Sequence, residues 1–236
     1  MGTPVDKAVL IRNVVKIIRE NANPERIWLY GSQATGDEKV GSDIDIAFSD
    51  ENNVDIEKIK AKIDELPSLI RVDVSNIKSA DSRFANRVRD TGKVLFSASK
   101  KLRAEDGLHN YLNALERFSN IVGRKDEFTN DGYGDIYLDL AVKRFEFTYE
   151  MAWKAIKRYI QFLGLECKSP RACIMEAYTQ AMIKDENVWL DMIEMRNRTS
   201  HAYDESEVSE LLDKLSSYQV AFNDLYLTVE EGLSEP

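Results

Sequence analysis

Two aspartates interrupt an apolar run. In LYGSQATGDEKVGSDIDIAFSD, Leu29–Asp50, a turn at Gly31 and Ser32 is followed ten residues later by Asp43 and Asp45, inside a stretch that reads as a strand. Alternate residues of a strand share a face, so Asp43, Asp45 and Ala47 point one way and Ile44, Ile46 and Phe48 the other. Two carboxylates held side by side repel unless a cation lies between them. Ionised carboxylates beside a phosphate substrate are the common setting for Mg²⁺. A third acid, Asp73, interrupts the apolar strand RVDVSN between Val72 and Val74. If the two strands pair, Asp73 completes a triad for a two-ion Mg²⁺ site, one ion at an attacking oxygen and one at a triphosphate. Gly31 and Ser32 end the preceding strand; glycine lets backbone approach phosphate oxygens closely, and amides near a helix start can donate to them. An edge strand facing water would explain a lone pair of acids. It accounts poorly for the turn, the spacer and the third strand acid together.

A second cluster lies far downstream, in MRNRTSHAYDE, where Arg196, His201 and Tyr203 stand in the form R-x4-H-x-Y. A histidine titrates near neutrality and can move a proton, while an arginine stays cationic and can stabilise charge on phosphorus. Together they suit RNA cleavage through the 2′-hydroxyl, which needs no metal. The bland alternative is a helix end whose cations cap its last carbonyls.

The elements that must carry these residues fall into two patterns. In the first hundred residues, helix and strand signals alternate. VDKAVLIRNVVKIIREN spaces Val5, Leu10, Val14, Ile17 and Ile18 as a helix; RIWLYG, DIDIAFS, SLIRVDVSN and GKVLFSA read as strands; NVDIEKIKAKIDEL and Ser79 to Thr91 read as helices. The fold class expected here is α+β with a small mixed sheet. From Lys101 the strand signals disappear. Leu138, Val142, Phe145, Tyr149, Ala152, Ile156 and Tyr159 trace one apolar stripe up to Gly164, and Val208, Leu211, Leu215, Tyr218, Phe222 and Leu225 trace another. Further helices are expected in LRAEDGLHNYLNALERFSNIVG, after Ser169 and Pro170, and in ENVWLDMIEMRNRTSHAY. The second half is thus expected to be an all-α antiparallel helical bundle. The polar stretch SASKK divides domains of residues 1–98 and 101–236.

Composition sets the frame. The chain of 236 residues is 43% hydrophobic and 31% charged, enough apolar material for two small cores. No run of 18 apolar residues and no signal segment is present, so a cytoplasmic, membrane-free protein is expected. Cys167 and Cys173 lack partners at metal-ligand spacing and read as buried thiols. Trp153 and Trp189 read as core. A net charge of −9 argues against broad nucleic-acid binding. One basic stretch stands out, Lys78, Arg83, Arg87, Arg89, Lys93, Lys100, Lys101 and Arg103, whose plain reading is a solvated helix face and a polar linker.

Gly31-Ser32, ten residues, Asp43-x-Asp45 and a later strand aspartate resemble the nucleotidyltransferase superfamily that includes DNA polymerase β, in its minimal form. The resemblance implies transfer of a nucleoside monophosphate from an NTP, with ATP expected, to an acceptor hydroxyl, with release of pyrophosphate. It implies that Gly31 and Ser32 bind the nucleotide, that Asp43, Asp45 and Asp73 are the catalytic metal ligands, and that Asp73 helps deprotonate the acceptor. Gln33 and Thr35 stand where members often carry arginines. VKRFEFTYEMAWK, SPRACIMEAY and RNRTSHAYDE resemble the HEPN family, in its nucleotidyltransferase substrate-binding branch. That resemblance implies a homodimer or higher oligomer through the helical domain. It further implies an RNA-cleaving site of Arg196 and His201 with Asn197 beside them, and Tyr203 as an AMP acceptor. Two functions follow: a Mg-dependent nucleotidyltransferase whose helical domain is acceptor or substrate-binding module, or a toxin-antitoxin fusion whose ribonuclease half is silenced by AMP on Tyr203. The acceptor stays open among Tyr203, another protein and a small molecule, and transfer could run within one chain or across a dimer.

Overall fold

A computed structural model describes residues 6–35, 42–199 and 205–234. It divides into two compact units, Met1–Ser99 and Lys100–Pro236.

In the first unit, helix α1 (Lys7–Asn21) opens at Asp6, whose carboxylate accepts from the Ala8 amide, and buries Leu10, Val14 and Ile18. Strand β1 (Arg26–Tyr30) leads into the one-turn helix α2 (Ser32–Thr35), then β2 (Ile44–Ser49), α3 (Ile56–Asp64), β3 (Val72–Asn76), α4 (Ser82–Thr91) and β4 (Lys93–Ser97). The sheet order is β3-β2-β1-β4. β2 pairs antiparallel with β1 and parallel with β3, so the sheet is mixed, as expected, and α3 makes the crossover that a parallel pair requires.

Each sheet face has its own core. One face packs Ile27, Leu29, Ile44, Ile46, Phe48 and Val74 against α1 and α3. The other packs Trp28, Tyr30, Ala47 and Ile77 against Ala85, Val88 and Phe84, part of its cover coming from α4. The alternation inferred for β2 therefore holds. Asp43 is the exception in detail, because it stands just before the strand's first residue.

Every regular element among the second unit's described residues is a helix: α5 (Lys100–Val122), α6 (Lys125–Asn130), α7 (Gly134–Phe162), α8 (Pro170–Thr179), α9 (Glu186–Thr199) and α10 (Glu205–Ser234). α8 begins as its sequence suggests, with Pro170 in the first turn and the Ser169 hydroxyl accepting from the Ala172 amide. Leu163 caps the end of α7, and Gly164 follows with φ +86°, a conformation that glycine adopts without a Cβ penalty. Leu211, Leu215, Tyr218, Phe222 and Leu225 of α10 are all buried.

Three expectations need correction. Along the first two turns of α7 the buried line runs through Tyr137 and Ala141, one position ahead of Leu138 and Val142, which are half-buried. A 29-residue helix meets different neighbours along its length, so its buried stripe drifts around it. Trp189 is core, but Trp153 is half-buried and its indole N–H donates to Glu150 at 2.7 Å. Cys167 and Cys173, expected as free thiols, form a disulfide, with Cα atoms 5.0 Å apart. Both are buried, and the bend between α7 and α8 brings them together.

Phe222 is the aromatic centre of this core. Its ring lies edge-to-face with Tyr111 (6.3 Å), Phe118 (5.7 Å) and Trp189 (5.7 Å), joining α5, α9 and α10. Phe222→Ala is expected to cost about 3–5 kcal/mol in denaturant unfolding, the range for deleting a fully buried aromatic ring. Val220→Ala, at an exposed position of the same helix, should stay within about 0.5 kcal/mol of the parent.

Candidate active site on the carboxylate face of the sheet

Strand register brings the first group of predicted residues together. Tyr30 of β1 stands opposite Asp45 of β2, and Asp45 stands opposite Asp73 of β3. Cross-strand neighbours share a face, so Tyr30, Asp45 and Asp73 form a row across three strands. Asp43 is exposed at the entry to β2, close enough for its charge to act on Asp45. Gly31 turns out of β1 with φ +69°, and a Cβ there would lie 2.5 Å from Asp45 Oδ2. Two independent constraints thus demand glycine: a left-handed backbone and the carboxylate pressed against it. Ser32 opens α2, and Gln33 donates from its side-chain amide to the Ser42 carbonyl at 3.2 Å, bracing the turn against the entry to β2.

The electrostatics of Asp45 mark it out. Burial, then the charges of Asp73 and Asp43, push its carboxyl above the usual range, and no hydrogen bond offsets them. Asp50, just past the other end of the same strand, shows the opposite balance. It is almost completely buried, yet it accepts from the Asn23 amide (2.6 Å) and from the Asn52 amide and side chain (2.9 and 2.7 Å). Burial would raise Asp50; those donors outweigh it and its carboxyl titrates below the usual range. Asp50 is a satisfied structural acid, and Asp45 is an acid whose charge the fold leaves uncompensated.

Among the described residues no three carboxylate, imidazole or thiol groups converge as a ready cage for a metal ion. The donor set still fits Mg²⁺, which is commonly held by one or two carboxylates with waters and substrate phosphates completing its shell. The uncompensated Asp45 charge is the observation that favours a cation there.

Sequence reasoning missed three neighbours. Tyr30 is buried, its hydroxyl hydrogen-bonds to Ser75, and burial above all, then Asp45 and Asp73, raise its pKa against the opposing effects of Ser75 and Arg87. Phe84 of α4 meets the Tyr30 ring edge-on at 5.3 Å, and the Arg87 guanidinium lies 5.6 Å from the Phe84 ring centre. Period-2 alternation back from Gly31 would have placed Tyr30; nothing in the linear chain brings α4 to it.

In the second unit Arg196 lies in the last turn of α9, half-buried. Its charge reaches two residues of α7. Tyr149 is pushed up to about 12 by burial, with Arg196 opposing. For Glu150 burial acts upward, but hydrogen bonds from Lys154 and Trp153 and the charges of Lys154 and Arg196 bring it below the usual range. Asn197 is exposed beside it. A polar network then ties α9 to α10. The Tyr218 hydroxyl donates to Asp191 (2.5 Å), Lys214 donates to Asp191 and Glu210 (2.7 Å each), and Arg198 pairs with Glu210 (2.8 Å). His201 and Tyr203 lie outside the described residues. No helix among the described residues is long and apolar enough to cross a membrane.

Comparison with known proteins agrees with this division. Residues 106–231, more than half of the chain, match the family model described as nucleotidyltransferase substrate binding protein like. The chain belongs to that family. Residues 12–101 match the model described as polymerase beta, nucleotidyltransferase, so a nucleotidyltransferase domain precedes the substrate-binding one. A curated Haemophilus influenzae protein named "Probable ribonuclease HepT" is 28% identical over 85 residues, 34% of this chain. The match spans 58% of that relative's length. Among solved structures, the Haemophilus influenzae protein HI0074, described as having the fold of a substrate binding domain of a nucleotidyltransferase, is 21% identical with a TM-score of 0.48. It aligns over 52% of this chain and 98% of its own. The MntA-HepT toxin-antitoxin structure is 21% identical with a TM-score of 0.32, over 52% and 97% of the respective chains.

The raised carboxyl of Asp45 fixes the sign of a stability effect in this substrate-binding-family protein. Below the ordinary carboxylate range the group is protonated folded and unfolded, and it costs nothing. As pH rises through that range the unfolded chain ionises first, so folded stability falls, and the loss is complete above the raised value. Without added metal, Asp45→Asn should therefore unfold at higher temperature than the parent at pH 7.5. The gap should be small, on the order of 0.5 kcal/mol after solvent screening, and close near pH 3. Thermal melts across pH measure it.

Proposed function

We propose that the chain is a Mg²⁺-dependent nucleotidyltransferase that moves AMP from ATP to an acceptor hydroxyl, with the helical domain as acceptor or substrate-binding module. The observation carrying this reading is the pairing of β2 with β3 that sets Asp45 beside Asp73, with Gly31 turning against the Asp45 carboxylate. The match of residues 12–101 to the polymerase beta nucleotidyltransferase model supports it.

Asp43 and Asp45 would hold the ions, with Asp73 as a further ligand, and bound Mg²⁺ would supply charge neutralisation at the phosphates and at the attacking oxygen. The remaining work falls to the chain. Gly31 brings its backbone close to the phosphates without a Cβ, and Ser32 offers them hydrogen bonds. Asp73 is exposed and accepts the proton of the acceptor hydroxyl. The acceptor oxygen bonds to the α-phosphorus as the bond from that phosphorus to the bridging oxygen breaks, and pyrophosphate leaves with that oxygen. Tyr203 is our leading acceptor, reached within one chain or across a dimer formed through the helical domain.

Incubation with α-labelled ATP and Mg²⁺ should place label on the protein. Asp45→Asn should lower the rate by at least about 100-fold, in line with loss of metal-borne stabilisation, and EDTA should abolish it. Intact mass should show whole AMP units, lost in Tyr203→Phe. Label retained at the wild-type rate in Asp43→Asn and Asp45→Asn would overturn the reading.

A second reading gives the helical domain its own chemistry, as a ribonuclease using Arg196 and His201 that AMP on Tyr203 silences. It is favoured by the resemblance to a relative named as a ribonuclease and by Arg196 resting near Glu150 rather than projecting free into solvent. Full-length Asp45→Asn, unable to modify itself, should then slow growth of an expression host and degrade RNA, and His201→Ala in that background should restore growth. Harmless expression of the single variant, with RNA intact, would leave the domain a binding module.

A further inference from the structure

The carboxylate face has an acid surplus and one conspicuous cation. Asp43, Asp45 and Asp73 lie along β2 and β3, and a nucleoside triphosphate would add about four negative charges to them at neutral pH. Between Gly31 and Asp43 the sequence offers a single cationic side chain, Lys39, which lies outside the described residues. Gln33, in the turn itself, is neutral and is spent on the Ser42 carbonyl.

Arg87 fills the gap from another element. α4 packs on the sheet face that bears the acids, through Ala85 and Val88, and its next turn of contact is Phe84 against Tyr30. Tyr30 is the direct cross-strand neighbour of Asp45. Arg87 follows Phe84 by three residues, on the same side of the helix, and rests its guanidinium over that ring. Its head is exposed and makes no hydrogen bond or ion pair among the described residues, in contrast to Lys78, paired with Glu51, and Arg89, within 3.4 Å of Asn86. An arginine held by a ring at its back keeps its planar donors for something else. Its charge acts on Tyr30, the cross-strand neighbour of Asp45, so a phosphate brought to these carboxylates by Mg²⁺ would lie on the side those donors serve.

We infer that Arg87 of α4 binds the triphosphate tail of the nucleotide on the carboxylate face. This rests on the nucleotidyltransferase reading and adds a residue and an element to it. The Phe84 ring sets the reach of Arg87, and the Tyr30 ring ties Phe84 to the strand that carries the glycine turn.

The test is equilibrium binding of α,β-methylene-ATP, which cannot release pyrophosphate, to the full-length protein with Mg²⁺. Arg87→Ala should weaken binding roughly ten- to a hundredfold, the effect of losing charge-assisted hydrogen bonds to phosphate. Arg87→Lys should recover part of the loss, and Arg89→Ala should bind within about threefold of wild type. AMP, which lacks the tail, should change by less than threefold with Arg87→Ala. Wild-type affinity in Arg87→Ala, or an equal loss for AMP and the triphosphate, overturns the assignment while leaving the nucleotidyltransferase reading standing. No Mg²⁺-dependent binding by the wild type overturns that reading, and the inference with it. Should Arg87→Ala melt at a lower temperature than the parent, Arg87→Gln, which keeps the stem over Phe84, takes its place with the same outcomes.

Discussion

Everything proposed for the first domain depends on the register of β2. A slip of one residue against either neighbour would turn Asp45 into the α1–α3 core and bring Ile44 and Ile46 to the surface. Ile44, Ile46 and Phe48, all fully buried, make that slip prohibitively costly. The hydrophobic face of the strand is thus what aims the acidic face. Because β1 and β3 are pinned by the same core, Tyr30 and Asp73 inherit their places in the row from Asp45's register. Gly31 then follows of necessity, since the chain must leave β1 beside Asp45 with no room for a Cβ.

Asp45 and Asp50 show how one strand separates structure from function. Asp50 is buried just past the end of β2 and Asp45 is half-buried within it, so the more buried acid is the one that the fold supplies with donors. Three hydrogen bonds from Asn23 and Asn52 make Asp50 an inexpensive ion, and Asn76, itself hydrogen-bonded to the Asp50 main chain, extends the lock to β3. Asp45 has carboxylate neighbours where Asp50 has amides. A fold selected for stability alone would replace Asp45 with an amide or an apolar residue. Keeping an uncompensated acid at the centre of a sheet is understandable where a ligand brings the missing positive charge.

Much of this was legible in the sequence, and the reasons for the rest are physical. Strand alternation over DIDIAFS placed Asp45 correctly because a two-residue period needs no tertiary information. The α10 stripe from Leu211 to Leu225 was equally plain, since a regular apolar repeat over four turns has one way to be buried. The drift at Tyr137 and Ala141 was not, because the burial of a long helix depends on which partners it crosses. The Cys167–Cys173 bond depends on a bend between two helices, and α2 and α6 are too short for periodicity to register. Arg87 was hidden for a different reason. In the sequence it is one charge in a basic run; only the packing of Phe84 on Tyr30 distinguishes it from Arg83 or Arg89.

A net charge of −9, taken as an average, disfavours phosphate chemistry anywhere on this chain. The local arrangements show why the average misleads. On the sheet the acids are concentrated, and attraction for a divalent cation is strongest when nothing else neutralises Asp45. Near the end of α9 the order is reversed. Arg196 is built in and Glu150 tempers it, while Arg198, Lys214 and Glu210 fasten α9 to α10 on either side of the segment that bears His201 and Tyr203. On the proposed reading, a phosphate handled on the sheet would need a metal ion, and one handled by Arg196 and His201 would not. That contrast suits the division of labour proposed above, in which the nucleotidyltransferase domain modifies Tyr203 of the helical one.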